Sequence, residues 1–326
     1  QAVREAITLY NDGYHRESVE PWRQVLAMDS NYNIAYVGLG KAAFEAGRYG
    51  EALRNFRIAA YVSGYSQAFK ERRKEVFRET FTWLVLGLAG VVLLLLGLGV
   101  LRRRLAVSGL GARMEAHPAG RLALRARRDL REAAAIPLHP IDGFTDLFDR
   151  KRQSLPAAGV LLLLFFVALV VHRQLTGFIF NSQTRLDQLN ILAFLAQSFG
   201  LAIAFAAVNW AVTTLFDGKG RFRDILVVVA YSLQPYVAAL LAGTLLSNLL
   251  AQDEAVFLTY LLVLGQAWSA FLLVKGLEAV HQYNIPQTLS AILATVFGIL
   301  VLLILLILSL SLVQQIVGFF TTVYQE

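Results

Sequence analysis

Six long apolar runs constrain the fold of this 326-residue chain more than any other feature of its sequence. A helix needs about 20 apolar residues to cross the hydrocarbon core of a bilayer. An open sheet would leave backbone N–H and C=O groups unpaired in lipid, so the runs are predicted to be membrane-spanning helices. They cover residues 81–101, 156–172, 191–216, 225–247, 255–275 and 288–313. A composition that is 56% hydrophobic and 16% charged favours the same class, an all-α integral membrane bundle.

The stretch before the first apolar run resembles a water-soluble domain, with 12 basic and 10 acidic side chains in residues 1–79. It contains an internal repeat, because placing Gly13 on Gly47 also places Trp22 on Phe56. The offset between these positions is the period of tetratricopeptide helix pairs, about 34 residues. Residues 1–65 therefore resemble one and a half to two tetratricopeptide repeats.

The second repeat has the clearer pattern of large and small residues. Its pattern positions are Tyr36, Leu39, Gly40, Ala52, Phe56 and Ala59. So few repeats rarely bury a stable core alone. We therefore expect an upstream region, a partner protein, or capping by the helix that begins the connecting segment 66–101. A processed or trimmed N-terminus is also expected, since the chain begins at Gln1 rather than Met.

The tetratricopeptide resemblance also implies a surface that binds another protein. Such helix pairs recruit partners through their concave face. The residues predicted to be exposed on that face are Tyr10, Tyr14, Tyr36 and Lys41.

Lysine and arginine are divided unevenly between the connections of the predicted spans. Sixteen lie on one side, in 102–153, in 217–224 and at Lys275, against two on the other side. The positive-inside rule therefore places the Arg-rich loop 102–153 in the cytoplasm and both the N-terminal repeats and the C-terminus outside it. A basic cluster between Lys70 and Arg78 favours the opposite orientation, but long domains translocate largely regardless of charge.

The Arg-rich loop contains a basic amphipathic helix by its spacing. Apolar residues from Leu122 to Ala133 recur at helical intervals, while Arg121, Arg125 and Arg128 line the other face. Such a helix either lies on anionic lipid at the inner leaflet or is a solvated helix that obeys the orientation rule. Both interpretations are open.

The fourth apolar run contains Gln234 and Pro235 near its middle. A proline in a helix removes one backbone hydrogen bond and bends the helix. We expect the side chain of Ser232 or Gln234 to satisfy the carbonyl that Pro235 leaves free, which makes the pair a built-in bend rather than a solute site. Before this run, Gly218 and Gly220 are predicted to form a flexible turn.

Few polar side chains interrupt the spans. The uncharged ones are Gln197, Asn209, Gln234 and Gln266, and no span has a central acidic or basic residue. A pump or ion-coupled transporter would usually need such a residue. The amides are therefore interpreted as interhelical hydrogen bonds, and Lys275 is expected to pair with Glu278 near a helix end.

No catalytic or cofactor-binding pattern is present in the sequence. The chain has no cysteine, so thiolate metal sites and disulfides are excluded. His139 with Asp142, Asp146 and Asp149 is interpreted as an acidic helix start rather than a metal site. No phosphate-cradling loop or nucleic-acid module occurs. We expect a protein that is not an enzyme and needs no cofactor or metal.

Three stretches in the second half resemble the Yip (Ypt-interacting protein) family. They are "HPIDGFTDLF" from His139, "GKGRFRDILVVVAYSLQPY" from Gly218 and "GQAWSAFLLVKGLEAVHQY" from Gly265. The resemblance covers about 139–315 and implies a five-span membrane domain, here 154–326. It implies no enzymatic activity. Bacterial relatives look like accessory membrane proteins of solute-uptake systems, whereas eukaryotic ones act in vesicle trafficking with small GTPases.

Together with the apolar runs, the Yip resemblance implies a multi-pass protein of a bacterial plasma membrane that acts as a scaffold or accessory subunit of a transport complex. An ABC-type carbohydrate importer is one such setting. Its expected partners are membrane proteins such as permease subunits, an extracytoplasmic protein at the repeats, and anionic lipids, but no nucleic acid. An independent transporter or channel and a membrane-shaping or trafficking protein are the alternatives.

Overall fold

The computed structural model describes residues 1–80, 128–182 and 190–325, with the side chains of residues 197 and 319–325 left aside. The predicted first span, 81–101, lies outside these residues, as does the first half of the Arg-rich loop. The described residues are helical and contain no strand, which confirms the all-α fold class. They form two compact units. We call 1–80, 172–182 and 242–261 the N-terminal unit, and 128–171, 190–241 and 262–325 the bundle unit.

The N-terminal unit begins with short amphipathic helices. These are α1 (Ala2–Asn11), α2 (Val19–Met28), α3 (Asn33–Glu45) and α4 (Tyr49–Ile58), followed by α5 over residues 62–80. Helix α1 packs on α2 and α3, and α3 packs on α4. The contact between α3 and α4 needs a small residue, because a Cβ atom at Gly40 would lie 2.5 Å from the ring of Phe56.

The structure repeats itself at the offset seen in the sequence. After α1, the N–H groups of residues 12, 13 and 14 donate to the carbonyls of residues 8, 10 and 9. After α3, residues 46, 47 and 48 donate to residues 42, 44 and 43 in the same pattern. Gly13 and Gly47 both adopt a left-handed φ, of 85° and 72°, which glycine adopts without steric cost. The two turns are therefore copies of one another, 34 residues apart.

Charged side chains fasten α5 to the connection 249–254 within the same unit. The guanidinium of Arg73 donates to both carboxylate oxygens of Glu254, at 2.7 and 2.8 Å, and to the carbonyl of Leu249 at 2.7 Å. Lys70 Nζ lies 2.7 Å from Asp253 Oδ1. We call these four side chains the α5 clasp. Lys70 and Arg73, two members of the basic cluster between Lys70 and Arg78, are thus paired with carboxylates.

Among the described residues, five helices are long and apolar enough to cross a membrane. The first two are α8 (Leu155–Leu175) and α9 (Ile191–Thr214), and the last two are α12 (Ala255–His281) and α13 (Ile285–Gln325). The middle one is broken at Leu233 into α10 (Phe222–Ser232) and α11 (Gln234–Ser247). Two shorter helices precede them, α6 over residues 128–135 and α7 (Pro140–Asp149).

The spans exist where the apolar runs predict them, but most of the helices are longer. Helix α12 continues six residues beyond the predicted end at 275, through Lys275 and Glu278 to His281. Lys275 Nζ and Glu278 Oε2 lie 2.8 Å apart, which confirms the predicted pair. Lys275 and Glu278 end the apolar run but not helix α12, because they pair with one another on the same helix.

Helix α10 lies at the centre of the bundle unit. Its residues from Val227 to Ser232 are all buried, so the helix is covered on every side. Part of that cover comes from the stretch before the first described span. Ile136, Phe144 and Leu147 belong to the same buried cluster as α10.

Candidate functional site

A groove opens between the first three helices of the N-terminal unit. It has a volume of about 170 Å³ and is lined chiefly by Ile7, Tyr10, Trp22, Ile34, Val37 and Lys41. The α3 residues among these recur at intervals of three and four, which places them on one face of that helix. We call this feature the repeat groove.

The repeat groove combines aromatic surface with polar groups that can bind. Lys41 Nζ lies 5.5 Å from the centroid of the Tyr10 ring, a cation–π distance. Burial raises the pKa of Tyr10, and the nearby Glu45 carboxylate raises it further, so the phenol stays protonated at neutral pH. The indole N–H of Trp22 is buried and has no partner among the described residues. The groove surface thus offers aromatic rings and one ammonium group, while the indole N–H lies beneath that surface.

The structure brings together two of the four residues predicted for the partner face. Tyr10 and Lys41 line the repeat groove. Tyr14 is 58% exposed but lies in the turn after α1, outside the groove lining. Tyr36 also lies outside it, and its hydroxyl donates to the carbonyl of Ser30 at 3.0 Å. The sequence does not predict Trp22 in this groove. Gly38 is the residue that could have indicated it, because a Cβ atom there would clash with the Trp22 indole.

In the bundle unit, the Gln-Pro pair lies at the break between α10 and α11. Pro235 has no N–H to donate to the carbonyl of Tyr231, four residues before it. The Gln234 amide fills that place, since its Nε2 donates to the Tyr231 carbonyl at 3.0 Å. The same nitrogen donates to the carbonyl of Ala133 in α6 at 2.9 Å. Ser232, the other expected donor, is buried with no hydrogen-bond partner for its hydroxyl among the described residues.

Asn209 belongs to a second buried polar cluster in the bundle unit. Its Nδ2 donates to Thr295 Oγ1 at 2.9 Å, and its Oδ1 lies 3.2 Å from His281 Nε2. The N–H of Gly220 donates to His281 Nδ1 at 3.2 Å, so that nitrogen accepts and Nε2 carries the proton. Asn209, His281 and Thr295 are all at most 2% exposed. We call this set the His281 cluster; it joins α9, α12 and α13 to the turn before α10.

The turn before α10 needs Gly218 and Gly220 because neighbouring side chains leave no room for a Cβ atom at either position. A Cβ atom at Gly218 would lie 2.7 Å from His281 Nδ1 and 2.8 Å from the Tyr283 hydroxyl. One at Gly220 would lie 2.6 Å from His281 Cε1. Neither glycine is left-handed. The flexible turn predicted here is therefore a close-packed one, held by the backbone N–H of Gly220.

A family comparison covers the region built from these features. The family model of the Yip1 domain matches residues 134–308, more than half of the chain. This chain belongs to the Yip family. The resemblance inferred from its sequence motifs is confirmed, and with five candidate spans the chain is a multi-pass membrane protein of that family. No match to a curated protein or to a solved structure was found.

The Yip1 domain begins before the first described span. Its match starts at residue 134, next to Ala133, whose carbonyl accepts from Gln234. Trp268 Nε1 likewise donates to the carbonyl of Pro137 at 3.1 Å. The end of the Arg-rich loop is thus part of the domain's packed structure. The match does not extend to the repeats, so the tetratricopeptide resemblance stays a prediction.

The basic segment is only partly described. Arg121 and Arg125 lie outside the described residues, while Arg128 is exposed at the start of α6. Ala133 is fully buried and Leu130 packs against the core of the Yip1 domain. The apolar face of α6 therefore contacts protein rather than lipid. Lipid binding by this segment stays a prediction for the arginines.

The four predicted intramembrane amides have separate environments in the Yip1 domain. Asn209 and Gln234 bond to different partners, and no described hydrogen bond joins any two of the four. The side chain of Gln197 lies outside the described residues. Gln266 is exposed on α12, and no described residue forms a hydrogen bond with its side chain. Among the described residues, Gln266 thus places an exposed amide near the middle of a span with no hydrogen-bond partner from the domain itself.

Proposed function

We propose that this Yip-family protein is a non-catalytic scaffold or accessory subunit of a membrane transport complex. One face of α12 binds a membrane partner, and the repeat groove binds a water-soluble one. The exposed amide of Gln266 is the observation that carries the proposal.

Gln266 lies on a stripe of α12 suited to close helix packing. Val263, Gln266, Ala267 and Ala270 are all exposed and are spaced three, four and seven residues from the first. We call this stripe the Gln266 face. An amide facing hydrocarbon without a hydrogen bond costs several kcal/mol, and the adjacent alanines allow another backbone to approach. The partner that fits is a transmembrane helix that presents a polar side chain.

The repeat groove supports a second docking contact. Its aromatic lining and the Lys41 ammonium suit a partner segment that offers both apolar side chains and a hydrogen-bond acceptor. The α5 clasp holds the preceding helices on the connection 249–254, so a partner bound at the groove is kept at the membrane.

The contacts of the other amides weigh against an independent transporter. A polar path would need side chains free to contact a solute, but Asn209 and Gln234 donate to groups of the protein itself. The transport setting rests on the bacterial Yip relatives, which look like accessory proteins of solute uptake. An ABC-type carbohydrate importer, with its permease subunits, is the proposed complex.

The proposed location is the plasma membrane of a bacterium, with the Arg-rich loop in the cytoplasm. Helix α5 is fastened to the connection 249–254, which contains no Lys or Arg, and this is the side assigned to the exterior. Because the chain has no cysteine, Ser30→Cys can be labelled with an impermeant maleimide on intact cells. Labelling only after permeabilisation would contradict this orientation.

Co-purification from native membranes in a mild detergent tests the docking function. The wild type should recover a permease, ATPase or solute-binding protein in stoichiometric amount, and Gln266→Leu should reduce that recovery at least about tenfold. Thr259→Val is the matched control, since it removes an exposed hydroxyl of α12 that bonds to its own helix at Ala255. Recovery of the wild type alone, or equal recovery with Gln266→Leu, would contradict the proposal.

A further inference from the structure

An apolar cavity of about 460 Å³ lies among the spans of the bundle unit. Its lining includes Phe165, Ser198, Ala202, Phe205, Leu233 and Tyr236. Leu233 is the residue at which α10 ends, so the cavity adjoins the break that the Gln-Pro pair produces. None of the features described above uses this space.

We infer that this cavity binds one acyl chain of a membrane phospholipid. The lining offers little else to a ligand. Among the described lining residues, Ser198 and Tyr236 carry the only polar side-chain groups. The Ser198 hydroxyl bonds to the carbonyls of its own helix, at Phe194 and Leu195. A polar solute would therefore lose its hydrogen bonds on entry and gain few in return.

The size of the cavity distinguishes an acyl chain from a helix of another protein. A helix about 10 Å across with a 5.4 Å pitch occupies roughly 420 Å³ per turn. The cavity therefore holds about one turn and not a transmembrane helix. A hydrocarbon chain fits the same volume, because it is thinner than a helix and flexible.

The cavity is open to the acyl chains of the lipids that surround the spans. Leu201, at its rim, is 60% exposed, and the Phe165 and Phe205 rings are partly exposed. An empty apolar space destabilises a protein in proportion to its volume. Lipid tails are the apolar molecules that surround a membrane span, so filling the cavity with one restores the lost contacts without removing anything from water.

Photo-crosslinking with a lipid probe tests the inference. The full-length protein is reconstituted in phosphatidylglycerol vesicles that contain a trace of the same lipid with a diazirine in the middle of one acyl chain. Crosslinks should concentrate on peptides that contain Phe165, Phe205 and Leu233. Ala202→Phe, which fills the cavity, should reduce them at least about fivefold. Ala196→Phe, the same change at an exposed position of α9, should leave them unchanged.

Labelling of the exposed helix α13 in each variant reports that the protein is inserted in the bilayer, and its circular dichroism in the same vesicles reports that it is folded. If Ala202→Phe fails to fold, Ser198→Phe fills the cavity from one turn earlier and should give the same loss. Uniform labelling of all exposed faces, or labelling unchanged by both filling variants, would overturn the inference. Crosslinks to a second copy of the chain from Leu201→Cys labelled with a photoactivatable maleimide would also overturn it, since they would show that protein covers the cavity.

Discussion

The two units of this protein hold distant parts of the chain together with different chemistry. The α5 clasp uses full charges, and the side chains of Arg73 and Glu254 are 36% and 28% exposed. The His281 cluster uses an amide, an imidazole and a hydroxyl, all at most 2% exposed. An ion pair has a small desolvation free energy where water still reaches it, because the charges keep part of their hydration. Within the spans, neutral groups that satisfy one another are the less costly choice.

The difference predicts unequal consequences when one partner is removed. In the His281 cluster, the remaining group stays buried without a partner and loses its hydrogen bond outright. In the α5 clasp, water replaces much of what is lost. The same kind of substitution should therefore cost more in the bundle unit than in the N-terminal unit.

The largest effect is expected for Asn209→Leu, which keeps the number and branching of the side-chain heavy atoms but leaves the His281 Nε2–H without an acceptor. The free energy of unfolding should fall by about 2 kcal/mol, the cost of a buried unsatisfied donor. Sodium dodecyl sulfate titration from mixed micelles, followed by circular dichroism, measures it. Thr214→Val, which removes an exposed hydroxyl bonded within α9, is the control and should change little. Equal losses for both variants would remove the distinction between cluster and surface.

A smaller effect is expected for Glu254→Gln. The hydrogen bonds that Arg73 donates to the Glu254 carboxylate raise the pKa of the Arg73 guanidinium, so the charged form of the pair is the stabilised one. The substitution keeps the shape but removes the charge, and should cost about 1 kcal/mol at low salt and less at high salt. The same titration at two salt concentrations measures it. Asp253→Asn, at a carboxylate that is 63% exposed, should show no measurable change. A salt-independent loss would mean that charge is not what holds α5.

The sequence alone predicts much of this fold, where the signal is local. Apolar runs locate the spans, and the spacing of Gly13 and Gly47 locates two identical turns. The bond from Gln234 to Tyr231 also follows from local geometry, since proline always leaves the carbonyl four residues earlier without its donor.

What the sequence does not predict depends on contacts distant along the chain. Gln234 also donates to Ala133, and His281 meets Asn209, yet no periodicity connects these positions. The segment that covers α10 appears in the sequence as part of an Arg-rich loop. Its arginines are typical of a solvent-exposed loop, although a few residues between them are buried. Of the residues predicted at the repeat groove, Tyr10 and Lys41 line it because the chain folds α1 against α3.

A crosslinking measurement in native membranes tests the central claim, that the Gln266 face binds another membrane protein. Since the natural chain has no cysteine, Gln266→Cys and Thr259→Cys each carry one thiol that a photoactivatable maleimide can label. The account predicts a protein adduct of one defined mass from position 266 and mainly lipid adducts from position 259. Lipid adducts alone from both positions would contradict it, because Gln266 would then face the bilayer without a partner.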